Sequence, residues 1–343
     1  MKKNNFDAMR VCLALIVVFA HTSDLTHSSA FDWFSLIFDS NFAVKGFFAT
    51  SGFLVTKSYL GSTDVRNYAE KRLRRIYPAY VAAIVFCVII GACVTSLSLK
   101  TFFTSYQFIR YVFANAIFMN SIQPGLPGVF GQQPVHAMDG ALWTIKIEVM
   151  LYCCVPFMIF LFRRFGVKRA ALALYLLSVV YVYYFTRVYT GRAGDEIARQ
   201  MPGQFAYFLI GAVLFIEKQL FFRLKWIAVA SVFVLIAVHG ELARIFINPV
   251  AYGSIVIYFA TSAIQSLGIG RYGDFSYGIY LFHFPIIQFL MSQGAYEANP
   301  WAAFCISLVS VSVVAVASWR LIESKVLMRN ANGTSVQTST FGT

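Results

Sequence analysis

The sequence predicts an all-α protein: a polytopic transmembrane helical bundle of about ten spans, with the N- and C-termini in the cytoplasm. Hydrophobic residues make up 59% of the 343 residues and charged residues only 13%, whereas soluble domains carry about 25% charge. Apolar runs of membrane-spanning length, about 17–25 residues, recur along the whole chain. Because backbone groups at membrane depth must be bonded within the protein, such continuous runs predict helices. A β-barrel would show short segments of alternating polarity instead.

The predicted spans are separated by loops whose basic residues gather on one side. With the N-terminus inside, the net charge of +13 follows the positive-inside rule, so it does not indicate a nucleic-acid-binding protein. Asp7 and Arg10 interrupt the first apolar run, which favours a retained span over a cleaved signal peptide. The ten predicted spans are 6–24, 36–58, 78–98, 141–162, 169–187, 202–217, 225–240, 249–267, 275–292 and 300–320.

One transmembrane domain, residues 1–329, is predicted, followed by a disordered tail at 330–343 that is rich in Asn, Thr, Ser and Gly. Residues 99–140 form a long external segment. Within it, Phe108–Met119 is apolar but too short to span, so it is predicted to be re-entrant or interfacial. The Pro- and Gly-rich stretch 123–140 either receives a substrate or caps the bundle. The six cysteines lack metal-ligand spacing, so no metal site is predicted.

The first span carries Arg10 and His21. Eleven residues correspond to three helical turns plus about 20°, so both side chains lie on one stripe, about 16.5 Å apart. Ionisable groups at membrane depth are functional candidates because burying them is costly. Arg10 could meet an anionic donor and His21 could act as a general base. Alternatively, Arg10 extends to the interface and His21 only ends the helix.

The second span contains Gly46, Ala49 and Gly52 at intervals of three, a spacing that lets a neighbouring backbone approach closely. Ser51 could donate a hydrogen bond to a ligand, although helix packing also accounts for it. A basic cytoplasmic helix follows and is predicted to stop at Pro78. Its Arg72 and Arg75 share a face and could hold phosphates in a bidentate manner; the alternative is a grip on anionic lipids.

The fourth span places Glu148 near its outer end, where a carboxylate needs a partner or a function. Glu148 could orient an imidazole or bind sugar hydroxyls. An ion pair with Lys146 is not expected, because residues two apart on a helix face away from each other. Trp143 is typical of an interface belt. In the ninth span, His283 precedes Pro285 and Tyr277 lies near the start; a histidine in that position is often a packed structural residue.

Together these segments resemble the acyltransferase-3 family of membrane acyltransferases, which includes O-antigen, exopolysaccharide and Nod-factor O-acetyltransferases. Val11 follows Arg10 where many members have glycine. The resemblance covers the whole chain and rests on five segments in the family's order: Arg10 and His21; Phe47, Phe48, Ser51, Gly52 and Phe53; Arg72 and Arg75; Trp143, Thr144 and Glu148; and Ser276, Tyr277, Tyr280, Leu281 and His283.

The resemblance implies a multi-pass O-acyltransferase of a bacterial inner membrane. It would transfer an acyl group, usually acetyl, from cytoplasmic acyl-CoA to a hydroxyl of a cell-envelope or exported saccharide. Acetyl-CoA would be a co-substrate, no cofactor would be permanently bound, and membrane lipids and the saccharide acceptor would be the other partners. The roles it implies are these: His21 and Glu148 catalytic; Arg10, Arg72, Arg75 and Ser51 donor-binding; Trp143, Tyr277 and His283 acceptor-binding or structural.

Two other functions stay open at this point. Buried Arg, His and Glu also mark proton relays, so a proton-coupled transporter or a flippase of an envelope precursor is the main alternative. Against it, the sequence has no matched pair of Gly- or Pro-broken helices in two halves. The third candidate is a non-catalytic membrane subunit whose basic helix docks a partner.

Overall fold

A computed structural model describes residues 5–261 and 273–327, which form α-helices with short 3₁₀ and π-helical turns and contain no β-strand. π-Helical turns lie at Tyr184–Val188 and Trp319–Glu323. The α-helices of these residues are, in chain order, α1 Phe6–Thr26, α2 Asp32–Ile37, α3 Ser40–Leu60, α4 Val65–Val94, α5 Leu99–Thr104, α6 Tyr106–Ala116, α7 Trp143–Phe165, α8 Val167–Tyr183, α9 Arg192–Ala198, α10 Met201–Ile216, α11 Lys218–Phe222, α12 Leu224–Ala237, α13 Glu241–Thr261, α14 Ser276–Ser292, α15 Ala295–Ala298 and α16 Pro300–Ser318.

Each of the ten predicted spans overlaps one of these helices, so the all-helical prediction is confirmed for the residues described. The ten-span count stays a prediction, because helices α10, α12 and α14 have only 16, 14 and 17 residues. The cytoplasmic location of the termini also stays a prediction. Residues 262–267 of the eighth span and the tail at 330–343 lie outside the described residues. By length and composition, six helical segments can cross a membrane: Phe6–Thr26, Val65–Val94, Trp143–Phe165, Val167–Val188, Glu241–Thr261 and Pro300–Leu327.

The sequence predicted that the helix carrying Arg72 and Arg75 stops at Pro78, and this prediction is wrong. α4 runs without a break from Val65 to Val94, so the basic segment and the third span are one helix with Pro78 inside it. Proline removes one backbone donor, but membrane helices tolerate this because neighbouring groups satisfy the freed carbonyl. The basic segment is therefore rigidly continuous with the span that follows it.

Two compact units divide the chain, and each is built from three separate stretches of sequence. The described residues of the first unit are 5–13, 41–68 and 144–261. Those of the second unit are 14–40, 69–143 and 273–327.

In the first unit, the backbones of α3 and α10 come into close contact. A Cβ added to Gly52 would lie 1.9 Å from the carbonyl oxygen of Phe208, and one added to Gly211 would lie 1.9 Å from that of Ala49. Neither position has room for a side chain, so the two glycines permit the approach. The prediction that small residues of the second span admit a neighbouring backbone is therefore confirmed at Gly52.

In the second unit, an aromatic cluster surrounds the C-terminal end of α1. The ring of Phe19 packs against Phe34, Phe38 and Phe304, with centroids 4.6–5.0 Å apart. Ring pairs at such distances add to the stabilisation that burial provides. The cluster holds the ends of α1, α14 and α16 together through Leu25, Phe31, Phe34, Phe284, Ile287, Tyr296, Ala303 and Phe304.

Candidate functional site

Two histidines meet in the second unit, one from α1 and one from α14. Nδ1 of His21 lies 2.8 Å from Nε2 of His283, and the two rings stack at 21° with their centroids 5.1 Å apart. The side chain of His283 is fully buried. The sequence singled out both residues separately but did not predict that they pair, since 262 positions separate them.

The hydrogen bonds of this pair determine which nitrogen of His21 can accept a proton. Nδ1 of His283 lies 2.8 Å from the carbonyl oxygen of Tyr280. A carbonyl only accepts, so Nδ1 of His283 carries the hydrogen and its Nε2 is the acceptor of the neutral ring. Nδ1 of His21 must then donate, which leaves the lone pair of neutral His21 on Nε2. This Nε2 makes no hydrogen bond within the described residues.

Packing around α14 fixes the position of the histidine pair. The ring of Phe284 meets the ring of His21 nearly at a right angle, with centroids 5.7 Å apart. At Gly278, α14 approaches α16 so closely that an added Cβ would lie 2.8 Å from Cα of Ala315. Farther along α14, Gln288 donates to the carbonyl oxygen of Val135 at 2.6 Å. The ring of His283 is thus held by a helix anchored at several points within the second unit.

A separate polar group in the first unit contains Ser51 and Glu148. The hydroxyl of Ser51 donates to Oε1 of Glu148 at 2.7 Å, and the hydroxyl of Tyr152 donates to the same oxygen at 2.5 Å. Oε2 of Glu148 makes no hydrogen bond within the described residues. Tyr152 was not among the predicted site residues, although its i, i+4 spacing from Glu148 is a sequence signal for this contact.

The beginning of α7 positions Glu148. Trp143 is half-buried at the first residue of the helix. Lys146 donates from Nζ to Oε1 of Gln200 at 2.9 Å, which agrees with the expectation that it faces away from Glu148. Tyr68 donates from its hydroxyl to the backbone carbonyl of Tyr152 at 2.9 Å. The carboxylate is therefore presented by a helix end whose neighbouring polar groups are already bonded.

Arg75 lies in an ion-pair cluster of the second unit. Its guanidinium pairs with Asp274 and lies 3.7 Å from a carboxylate oxygen of Glu323. It also faces the rings of Tyr277 and Trp319, at 5.8 and 6.0 Å from their centroids. The structure therefore brings the predicted residues Arg75 and Tyr277 together, and it adds two carboxylates that the sequence analysis did not connect with Arg75.

The other two predicted arginines lie on the helices where the sequence placed them. Arg72 is on α4, three residues before Arg75, and is half-buried. Arg10 is on α1, eleven residues before His21, and is also half-buried. The proposed contact of these arginines with a donor molecule stays a prediction.

Asp139, in the irregular segment before α7, is a buried carboxyl group of the second unit. Its Oδ1 accepts a hydrogen bond from the backbone amide of Ala141 at 2.8 Å, while Oδ2 is buried without a hydrogen-bond partner among the described residues. Burial raises the pKa of Asp139 from 3.8 to about 8, because the charged form loses its hydration, although the bond from Ala141 opposes the shift. Asp139 is therefore mainly neutral at pH 7.

Comparison with known proteins gives one family match and several relatives of known name. Residues 3–320 match the family model of an acyltransferase domain. Nodulation protein 10 of Rhizobium leguminosarum bv. viciae is 26% identical over 94% of this chain and 92% of its own length. The O-acetyl transferase of Shigella phage Sf6 is 26% identical over 96% and 98%. O-acetyltransferase OatA of Staphylococcus aureus (strain NCTC 8325 / PS 47) is 23% identical over 82% of this chain and 52% of its own length. No solved structure matches the chain.

Proposed function

The chain belongs to the acyltransferase-3 family, and we propose that this membrane O-acyltransferase moves an acetyl group from acetyl-CoA to a hydroxyl of a cell-envelope or exported saccharide. The two relatives named as O-acetyl transferases support acetyl as the acyl group. The proposed setting is the bacterial inner membrane, with acetyl-CoA entering from the cytoplasm. The basic residues of the predicted inner loops support that orientation.

The observation that carries this proposal is the hydrogen-bonded pair of His21 and His283. A general base needs an accessible lone pair in a fixed position. His283 accepts the hydrogen of Nδ1 of His21 at 2.8 Å and so keeps the lone pair on Nε2. A group that holds a catalytic imidazole in one tautomer serves the same purpose in hydrolase triads. We assign His21 as the general base and His283 as its positioning residue.

The proposed reaction is a direct transfer in which His21 moves one proton. The acceptor hydroxyl gives its proton to Nε2 of His21 while its oxygen bonds to the thioester carbonyl carbon. The carbon–sulfur bond breaks, and the leaving sulfur takes the proton from Nε2, so CoA departs as the thiol. While His21 carries both hydrogens, its bond to His283 is charge-assisted and therefore stronger.

For the donor, we propose Arg72 as the main phosphate ligand on α4. A guanidinium matches phosphate oxygens in a bidentate manner, and Arg10 on α1 would contact the donor as well. Arg75 contributes to donor binding only if a phosphate competes with Asp274 and Glu323, the two carboxylates that it already meets. Of Arg72 and Arg75, we therefore assign the structural role to Arg75.

Glu148 is proposed to accept a hydrogen bond from a substrate hydroxyl through Oε2. Its other oxygen is occupied by Ser51 and Tyr152, which fix the direction of the carboxylate. Ser51 then acts through Glu148, and its proposed contact with the donor is secondary to this role. Replacing Ser51 by Ala should therefore resemble a mild form of Glu148→Gln.

Acetyl transfer by the purified protein in nanodiscs tests the assignment of His21. The substrates are radiolabelled acetyl-CoA and saccharide fragments released from the host's own envelope polysaccharide by mild acid. His21→Ala should lower the rate about 10²–10⁴-fold, as expected for a general base, with acetyl-CoA affinity and melting temperature near wild type. His21→Gln should be equally inactive, because an amide cannot take the proton. An active Gln variant would mean that His21 only positions the acceptor.

The same preparation separates the enzyme from the alternative transporter. Release of CoA thiol that depends on the saccharide supports acyl transfer. Movement of the saccharide across proteoliposomes without release of CoA would support a carrier and overturn the proposed function.

Single replacements on α4 separate donor binding from structural ion pairing. Arg72→Ala should weaken acetyl-CoA affinity, and Arg72→Lys should restore the affinity only in part. Arg75→Ala should lower the melting temperature, because removing one partner of a buried ion pair costs about 3–5 kcal/mol. Arg74→Ala is the matched control, since Arg74 is more exposed than Arg75 and lies 3.9 Å from a carboxylate oxygen of Glu70. Equal effects of all three would indicate a generic role of positive charge at the membrane surface.

A further inference from the structure

A cavity of about 990 Å³ lies within the second unit. Its lining includes the irregular segment 128–134, the end of α14 and residues that lead into α16. Thr26, the last residue of α1, also lines it. Ligand pockets usually measure about 300–1,000 Å³, so this cavity is large enough for a molecule of several rings.

The lining suits a neutral, hydroxyl-rich ligand. The lining residues include Thr26, several serines, Gln132 and the aromatic residues Phe130 and Tyr296. Among the described residues that line it there is no Lys, Arg or His, and Glu297 supplies a carboxylate. An anionic ligand such as the phosphate part of CoA would find no positive partner there and one repulsive charge. Hydroxyl groups and apolar ring faces match this surface better.

Gln133 fixes one part of the lining. Its Nε2 donates to the backbone carbonyl of Gln288 at 2.9 Å, which fixes the amide against α14. Its Oε1 is buried and has no hydrogen-bond partner among the described residues. Because Oε1 has almost no exposed surface, Gln133 contributes to the lining through the bond that fixes its amide against α14.

Segment 128–134 of the lining is held in a defined shape. Thr95 donates from Oγ1 to the carbonyl of Pro127 at 2.9 Å, and the amide of Ser96 donates to the carbonyl of Gly128 at 2.9 Å. The φ angle is +69° at Gly128 and +54° at Phe130. Phe130 is not a glycine, so its conformation is strained and is maintained by the surrounding contacts. Such strain often accompanies ligand-binding segments.

We propose that this cavity is the binding site of the saccharide acceptor, a neutral oligosaccharide segment whose hydroxyl groups and ring faces meet the polar and aromatic side chains of the lining. The inference rests on the proposed function, because it names the site from which the acceptor reaches the general base. Thr26 follows His21 on α1 by five residues, which corresponds to about 7.5 Å along the helix axis. Five residues also turn the two side chains about 140° apart around the helix, so a chain of sugars bound in the cavity would reach around α1 to bring its terminal ring to Nε2 of His21.

Two replacements that fill the cavity test the proposal against a matched control. A Cβ at Gly131 or at Gly240 meets no atom within 4 Å, but only Gly131 lines the cavity. Gly131→Trp should raise the acceptor KM at least 10-fold and leave the KM of acetyl-CoA unchanged, whereas Gly240→Trp should change neither. Ser292→Trp, at the end of α14, also lines the cavity and should act like Gly131→Trp. Both replacements at the cavity leave the histidine pair untouched.

A binding measurement separates this inference from the proposed function. Saccharide fragments of the host envelope are added to the His21→Ala variant, and binding is read as a shift in melting temperature. A shift that is lost on adding Gly131→Trp or Ser292→Trp supports the cavity, whether or not the wild type transfers acetyl. Acetyl transfer by the wild type with an unchanged acceptor KM in both cavity variants would overturn the inference and leave the proposed function standing. Binding that neither variant weakens would overturn it as well.

Discussion

Replacing His283 by Leu should slow acetyl transfer without unfolding the protein, whereas replacing it by Gln should preserve most of the rate. Leu fills nearly the same buried volume but offers no acceptor to Nδ1 of His21. Gln carries an amide oxygen near the position of the ring Nε2, and this oxygen can accept the same hydrogen. The two variants therefore differ mainly in the one hydrogen bond that measures 2.8 Å in the structure.

The magnitude follows from the change of charge on His21 during the reaction. A hydrogen bond between neutral groups contributes about 1 kcal/mol net, and one to a charged group about 1.5–3 kcal/mol. The hydrogen bond between His21 and His283 therefore becomes stronger by this difference, about 1–2 kcal/mol, when His21 takes the proton. Since about 1.4 kcal/mol corresponds to a tenfold change in rate, His283→Leu should lower kcat roughly 5- to 30-fold. His283→Gln should stay within about threefold of the wild type.

The assay is steady-state acetyl transfer in nanodiscs, with kcat and both KM values measured for each variant. The KM of acetyl-CoA should not change, because His283 contacts His21 and Tyr280 rather than the predicted phosphate ligands. Combining His283→Leu with His21→Ala should be no slower than His21→Ala alone, because residues that act as one unit are not additive. Melting temperatures identify any variant that has merely lost stability.

Two results would refute this reasoning. If His283→Leu were as active as the wild type, His283 would only fill space. If Leu and Gln lowered kcat and melting temperature together, His283 would be structural, and the tautomer of His21 would have to be fixed in another way.

Gly211→Ala places a Cβ 1.9 Å from a backbone carbonyl oxygen. It should destabilise the protein by more than the about 1–3 kcal/mol of ordinary overpacking, whereas Gly131→Ala, in open space, should not. Equal melting temperatures of the two variants would contradict the close helix contact. Burial raises the pKa of Asp139 to about 8, so the folded protein keeps a proton that the unfolded chain releases above about pH 4. Stability should therefore fall as pH rises from about 4 to about 8. In Asp139→Asn, the melting temperature should depend less on pH over this range. An equally steep slope in the variant would mean that another group titrates. With the six free cysteines replaced, an impermeant thiol reagent added outside should label Gln132→Cys but not Arg66→Cys, and the reverse pattern would overturn the orientation and the cytoplasmic donor.

Much of the fold could be predicted from the sequence because helices are local and their apolar runs are long. The approach of a backbone to Gly52 was predictable from the small-residue spacing, but its partner, α10, was not, because spacing carries no information about which helix lies opposite. A helix end at Pro78 was predicted, but α4 continues through this residue. Proline rules derived from helices in water overestimate the break where a membrane protein supplies other partners for the freed carbonyl.

The site residues were predicted singly, and their contacts were not. His21 and His283, or Ser51 and Glu148, lie too far apart in sequence for any periodicity to connect them. Tyr152 is different, because it lies one turn after Glu148 and the spacing alone could have indicated it. Gln133 carries no motif at all, and only its bond to Gln288 and its place in the cavity lining make it a candidate.

The fastening of segment 128–134 at both of its ends also has a kinetic consequence. A binding wall that is already shaped needs no ordering step when a ligand arrives, so the entropic cost of closing a loop does not enter the association. Acceptor binding should then proceed in one phase, with an observed rate that rises linearly with acceptor concentration. Variants that release Thr95 or Gln133 should convert this into two phases, the slower one independent of concentration, because the loop would have to find its shape before or after each encounter.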